Sequence, residues 1–212
     1  MGRMRRLLAT MRRLRAPGGC PWDQRQTHES LRPYLLEEAA EAVDALATGD
    51  PRVMADELGD VLLQVAFHAV IAEDEDTFTY DDIETAIVEK LVRRHPHVFE
   101  AVEVDGIDGV MRNWNAIKLA EREAAGAAPR GAADGVPRSL PALSRAVGLG
   151  RALGWAPDAS LAARPLEEAV AAGDEAAFGA ALLCLTQLAR RAGVDPELAL
   201  RDALTAELEQ RA

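Results

Sequence analysis

The sequence predicts an all-α protein built as a helical bundle. Alanine is abundant, aromatic residues make up only 4% of 212 residues, and no stretch alternates cleanly between apolar and polar. Together these argue for helices and against strands. A first helix is expected near 2–15, closed by the turn Ala16-Pro17-Gly18-Gly19. A long helix follows at about 27–47, interrupted early by Pro33. Thr48-Gly49-Asp50-Pro51 then punctuates the chain. Gly49 can take the left-handed position after a helix, Asp50 can cap the next one, and Pro51 suits its first turn. That next helix is expected over about 52–72, ahead of an acidic loop at 73–76. Another covers about 81–94, where His95-Pro96 ends it, and a further one about 110–125.

Residues 124–138 are rich in Ala, Gly and Pro and read as a linker. They divide a first domain, 1–123, from a smaller helical segment, 139–212. That segment resembles a faded copy of the first domain. Residues 49–69 can be laid on 173–191 with a four-residue gap, so that Gly59 meets Gly179. Glu57 then meets Ala177, Asp60 meets Ala180, and Glu167-Glu168 lacks an acid three residues on. Such a copy keeps its apolar face and loses its carboxylates, which suits a packing or dimerising element.

The formal net charge is −11, from 35 acids and 24 bases. Residues 1–120 hold 22 acids and 14 bases, net −8, so most of the surplus lies in the first domain. A surface built for nucleic-acid backbone is normally basic, so that class is disfavoured. Two cysteines, Cys20 and Cys184, are too few for a disulfide framework or a thiolate zinc site and suit a reducing cytoplasm. No apolar run has the length of a membrane span, and the basic N-terminus lacks a secretory apolar core. A cytoplasmic protein with neither nucleic-acid nor membrane partners is expected.

The sharpest feature is LLEEAAEAVDAL, 35–46, followed by DELGD, 56–60. At about 100° per residue, Glu37, Glu38, Glu41 and Asp44 share one face of their helix, opposite Leu35, Ala39, Ala42, Val43 and Leu46. On the next helix Asp60, Gln64 and His68 lie within about 60° of Glu57. Folded about Gly49-Asp50 as an antiparallel hairpin, Glu41 lies level with Glu57, and Glu38 with Asp60. Arg52 is the only base between Leu35 and Asp60. Two solvated faces would account for the composition. The like-charged Glu37–Glu41 pair, however, costs helix stability, and uncompensated clustered oxygens are what Mg²⁺ or Mn²⁺ binds.

A carboxylate-held metal points to phosphate chemistry, which also needs cations. Lys90, Arg93 and Arg94 share a face in EKLVRRHPHVFE, 89–100. Lys118 follows Trp114 by four residues in NWNAIK, 113–118. This pair can hold a phosphate and a base, or can be a core aromatic beside a rim lysine.

With these residues in hand, the chain resembles the MazG family of nucleoside triphosphate pyrophosphohydrolases. The matching stretches are CPWDQRQTHESLRPYLLEEAAEAVDAL (20–46), ELGDVLLQV (57–65), KLVRRHPHVF (90–99) and NWNAIK (113–118), with PRSLPAL (137–143) like the opening of the family's second half. Glu37, Glu38, Glu41, Glu57 and Asp60 fill the family's E-E-x-x-E and E-x-x-D motifs, with fifteen residues between Glu41 and Glu57. The resemblance implies an all-α NTP pyrophosphatase bundle completed by dimerisation. It implies Mg²⁺-dependent cleavage between the α and β phosphates of NTPs or dNTPs, with Mn²⁺ able to substitute, in the service of nucleotide-pool house-cleaning. Carried over, Glu37, Glu38, Glu41, Glu57 and Asp60 hold metal, and Glu38 is the candidate base. Lys90, Arg93 and Arg94 hold phosphate, and Trp22, Trp114 and Lys118 lie near the nucleoside. His68 is expected as a hydrogen-bonded neighbour, His95 and His97 as capping and packing residues, and Cys20 as buried structure. Two alternatives stay open: a related pyrophosphohydrolase acting on dUTP or a phosphoribosyl-ATP, and a non-catalytic acidic helical module.

Overall fold

The structure is a computed structural model that describes residues 3–124, 126, 131–155, 171, 173 and 175–211. Most of the 125–130 part of the expected linker, and Glu167-Glu168, lie outside the described residues. Among the described residues every regular element is a helix. The chain divides into two compact units, Met1–Ala120 and Glu121–Ala212.

In the first unit α1 (Arg3–Arg15) packs on α4 (Pro51–Asp74), and α3 (Arg32–Thr48) forms a hairpin with α4. The short α2 (Pro21–Arg25) sits against α1. The remaining helices are α5 (Tyr80–Arg94), α6 (Pro96–Phe99) and α7 (Gly106–Ala124), the last running to the unit's edge. The core joins Leu8 and Met11 of α1, Leu31, and Ala66, Phe67, Ala69, Val70 and Ile71 of α4. Only the C-terminal half of α4 is enclosed in this way. In its N-terminal half Leu58 and Leu62 remain exposed, as do Leu36 and Leu46 of α3.

The hairpin turn follows from its sequence. Gly49 has φ 68°, the left-handed region that only glycine enters freely. The Asp50 carboxylate accepts the Arg52 backbone N–H at 2.8 Å, and Pro51 lies in the first turn of α4. At the start of α5, Thr79 and Asp82 close a reciprocal capping box.

Four elements differ from the sequence reading. The helix expected from about residue 27 begins at Arg32. Thr27 and Ser30 instead exchange side-chain-to-backbone hydrogen bonds, 2.9 and 3.2 Å, in a turn, and Pro33 opens the helix. Pro21 starts the unanticipated α2, and Pro96 starts a new short helix rather than a loop. The helix expected from about 110 begins four residues earlier, at Gly106.

The second unit contains a 3₁₀ turn (Ala132–Gly135), α8 (Ala142–Ala152), α9 (Glu175–Arg191) and α10 (Pro196–Arg211). The α8–α9 contact is locked by a buried polar residue. Gln187 is 3% exposed, donates to the Ala146 carbonyl at 2.8 Å and accepts from Arg190 at 3.0 Å. Its amide lies so close to Gly150 that a β-carbon there would collide with it.

Candidate metal centre

The α3–α4 hairpin brings the predicted carboxylates to one place. Oxygens of Glu38, Glu41 and Glu57 all lie within 4.8 Å of one another. Glu38, Glu57 and Asp60 are half-buried, while Glu37 and Glu41 are exposed. Burial first, then the charges of Asp60 and Glu41, a hydrogen bond with Glu41 and the charge of Glu37, push the Glu38 carboxyl above its ordinary range. Burial, Glu41, Asp60 and Asp56 push Glu57 the same way. Asp60 and Glu37 therefore border the three-residue group closely enough to act on it. Every influence on Glu38 and Glu57 opposes ionisation, a charge balance that a cation could relieve. The donor set, all hard carboxylate oxygens at a spacing that small side-chain rotations can converge, fits Mg²⁺ or Mn²⁺.

Beyond Asp60 on α4 the face turns from charged to neutral. Gln64 is 4% exposed and its Oε1 has no hydrogen-bond partner among the described residues. His68 shares a 2.7 Å Nδ1–Nδ1 hydrogen bond with His28, and their rings stack at 5.0 Å. Burial and the neighbouring His28 hold His68 below its usual pKa. His28 escapes a reading of helical faces because it lies in the turn before α3, forty residues away in sequence.

The cationic residues lie on α5 and α7. The Arg94 guanidinium lies 5.2 Å from the Trp114 ring centroid, and the His95 ring meets the same indole edge-on at 5.0 Å. His95 also caps the end of α5, and its Nδ1 lies 2.7 Å from the Leu91 carbonyl oxygen. Lys90, Arg93 and Lys118 are exposed. Trp22 stands edge-on to Tyr34 at 5.7 Å and to Phe67 at 6.1 Å. Cys20 is a half-buried free thiol at the head of α2, and its N–H donates to the Leu14 carbonyl at 2.8 Å.

Residues 26–99 match the family model for the MazG nucleotide pyrophosphohydrolase domain, a span that contains all five acids. Over 209 residues the chain is 38% identical to the nucleoside triphosphate pyrophosphohydrolase/pyrophosphatase MazG of Thermotoga maritima, covering 93% of this chain and 79% of that one. It is 48% identical over 147 residues to a nucleoside triphosphate pyrophosphohydrolase of Escherichia coli, covering 69% of this chain and 55% of that protein. It is 50% identical over 139 residues to the uncharacterized protein YabN of Bacillus subtilis, covering 66% of this chain and 28% of that protein. The chain thus spans about half the length of the Escherichia coli relative and less of YabN. With a carboxylate hairpin inside the matched domain and a relative matched over most of both lengths, this chain belongs to the MazG nucleotide pyrophosphohydrolase family.

Proposed function

We propose that this protein hydrolyses nucleoside and deoxynucleoside triphosphates at the α–β phosphate bond, giving NMP and pyrophosphate. The observation that carries this reading is the convergence of Glu38, Glu41 and Glu57, with Asp60 beside them. A bound Mg²⁺ would supply charge neutralisation at the phosphates and a lowered pKa for water. Glu38, Glu41, Glu57 and Asp60 would hold that ion, with Glu37 as an additional ligand.

Glu38 is the residue we assign as base. It is half-buried in the carboxylate group, beside Glu41 and Glu57, and a base acting on metal-bound water needs only a modest proton affinity because the metal lowers the pKa of that water. That water adds to the α-phosphorus as the bond to the bridging oxygen breaks, and the electron pair leaves with pyrophosphate. Lys90, Arg93 and Arg94 offset the charge gathering on that leaving group. Trp22, Trp114 and Lys118 serve the nucleoside end. Exposed Leu36, Leu46, Leu58 and Leu62 on the outside of the hairpin favour a homodimer that covers them. A nucleotide-pool house-cleaning role in the cytoplasm follows from the same reading. No helix among the described residues is long and apolar enough to cross a membrane.

Incubation with Mg²⁺ and a panel of NTPs and dNTPs tests the reaction. NMP and pyrophosphate are expected, and Glu38→Gln or Asp60→Asn abolishes their release. Appearance of NDP and orthophosphate would overturn the assigned bond. Absence of turnover with either Mg²⁺ or Mn²⁺ would overturn the enzyme.

A further inference from the structure

Gln64 holds a buried acceptor that accepts no hydrogen bond from the described residues. The residue is 4% exposed and its Oε1 is unpartnered. An unpaired amide oxygen in the interior bears its full desolvation cost, which a leucine of similar size would avoid. Its place on the helix is informative. At about 100° per residue, Gln64 falls within about 40° of both Glu57 and Asp60. On α3, Tyr34 falls by the same count between Glu41 and Glu38. Tyr34 and Gln64 are nearly equidistant from the Gly49-Asp50 turn, so at ~1.5 Å per residue they are level. They form the next layer of the hairpin, about one helical turn beyond Glu38 and Asp60 and on the same two faces. Trp22 borders this layer, 5.7 Å from Tyr34 and 6.1 Å from Phe67, which follows Gln64 by three residues. Trp22 and Tyr34 are 48% and 38% exposed, so the layer opens to solvent through aromatic edges.

We infer that this layer receives the nucleoside portion of the substrate, with Gln64 as a specificity-determining residue whose Oε1 accepts a hydrogen bond from an N–H or O–H of base or sugar. The inference rests on the triphosphate reading above. A nucleotide with its phosphates at the carboxylates extends its sugar and base by one to two helical turns, on the order of 5–10 Å, which reaches the level of Tyr34 and Gln64 along the hairpin. A carbonyl oxygen takes donors only. An analogue lacking the donor leaves Oε1 as unpaired as it is in the free protein and forgoes the gain of that hydrogen bond.

The test is calorimetric binding of α,β-methylene triphosphate analogues with Mg²⁺ to the full chain, in the wild type, Gln64→Leu and Gln64→Met. One arm compares bases with and without an exocyclic amine, and the other compares ribose with deoxyribose. The wild type is expected to favour the donor-bearing analogue of one arm by about tenfold or more, the worth of one hydrogen bond. The arm that responds identifies base or sugar as the donor. Both variants should bind the two members of that pair within about twofold, with melting temperatures at or above the wild type. Equal discrimination by wild type and folded variants overturns the inference and leaves the enzyme reading intact. So does a wild type that binds every analogue equally. Mn²⁺ affinity without nucleotide should be the same in all three proteins. A drop confined to the variants, with discrimination kept, places Gln64 in the service of the cation and also overturns the inference. A wild type that binds no analogue removes the triphosphate reading itself, and the inference with it.

Discussion

His28 and His68 meet Nδ1 to Nδ1 at 2.7 Å, joining the turn before α3 to the middle of α4. Such a bond needs one ring to donate and the other to accept, so at least one ring must be neutral. Burial and His28 both hold His68 below its ordinary pKa. The folded protein therefore binds fewer protons here than the unfolded chain does. Stability from this group is present above about pH 6.5, the unfolded value, and is lost as pH falls below it. The melting temperature is expected to drop between pH 7.5 and 5.5, and the drop should shrink in His68→Gln. Thermal melts of both proteins across that range check it. An identical slope in the variant would remove the pair as the cause.

The carboxylate group carries the opposite sign. Glu38 and Glu57 are raised, so their contribution is greatest below the ordinary carboxylate range and is lost as pH rises through it. Above neutrality the metal-free protein holds this repulsion in full, and a divalent cation relieves it. Mg²⁺ or Mn²⁺ is expected to raise the melting temperature at pH 8. At a hundred times its dissociation constant the gain is about 2.7 kcal/mol. Glu57→Gln should lose most of that gain while its metal-free melting temperature rises. Melts with and without metal decide the point.

The hairpin turn sets the register of the two acidic faces. Gly49 has open space around it, so a larger side chain costs only backbone strain. Gly49→Val is expected to destabilise by about 1–2 kcal/mol. Asp50→Ala removes the bond to the Arg52 N–H and should cost about 1 kcal/mol. Urea unfolding measures both.

The second unit offers a control for the first. Gly150→Ala forces a methyl group onto the Gln187 amide and is expected to destabilise this unit by about 1–3 kcal/mol. Mg²⁺ affinity should be unchanged, because the carboxylate group lies within Met1–Ala120. Isothermal titration of the folded variant checks this, and lost affinity would tie the site to the second unit.

Cation–π packing of Arg94 on Trp114 at 5.2 Å predicts a further asymmetry. Trp114→Leu frees the guanidinium it positions and should raise KM for a triphosphate several-fold, with a smaller effect on kcat. Steady-state kinetics of the variant separates the two constants.

The helices, their turns and the acidic constellation were legible in the residues alone, because these depend on periods and caps within a few residues of one another. Glu38, Glu41, Glu57 and Asp60 could be aligned on paper because a single glycine–aspartate turn joins their helices, and two straight helices from one turn keep equal rise. Where proline and side-chain capping competed with helical propensity, at Thr27–Leu31 and Pro96, the local pattern was too weak to give the boundary. The remaining contacts come from packing between elements. Trp22 meets Tyr34 and Phe67, His28 finds His68, and Arg94 covers Trp114 through contacts between elements whose mutual rotation no periodicity encodes. The unpaired state of Gln64 is legible only there as well. On the helical face it reads as one more polar residue, whereas its burial and its lack of a partner depend on everything packed around it.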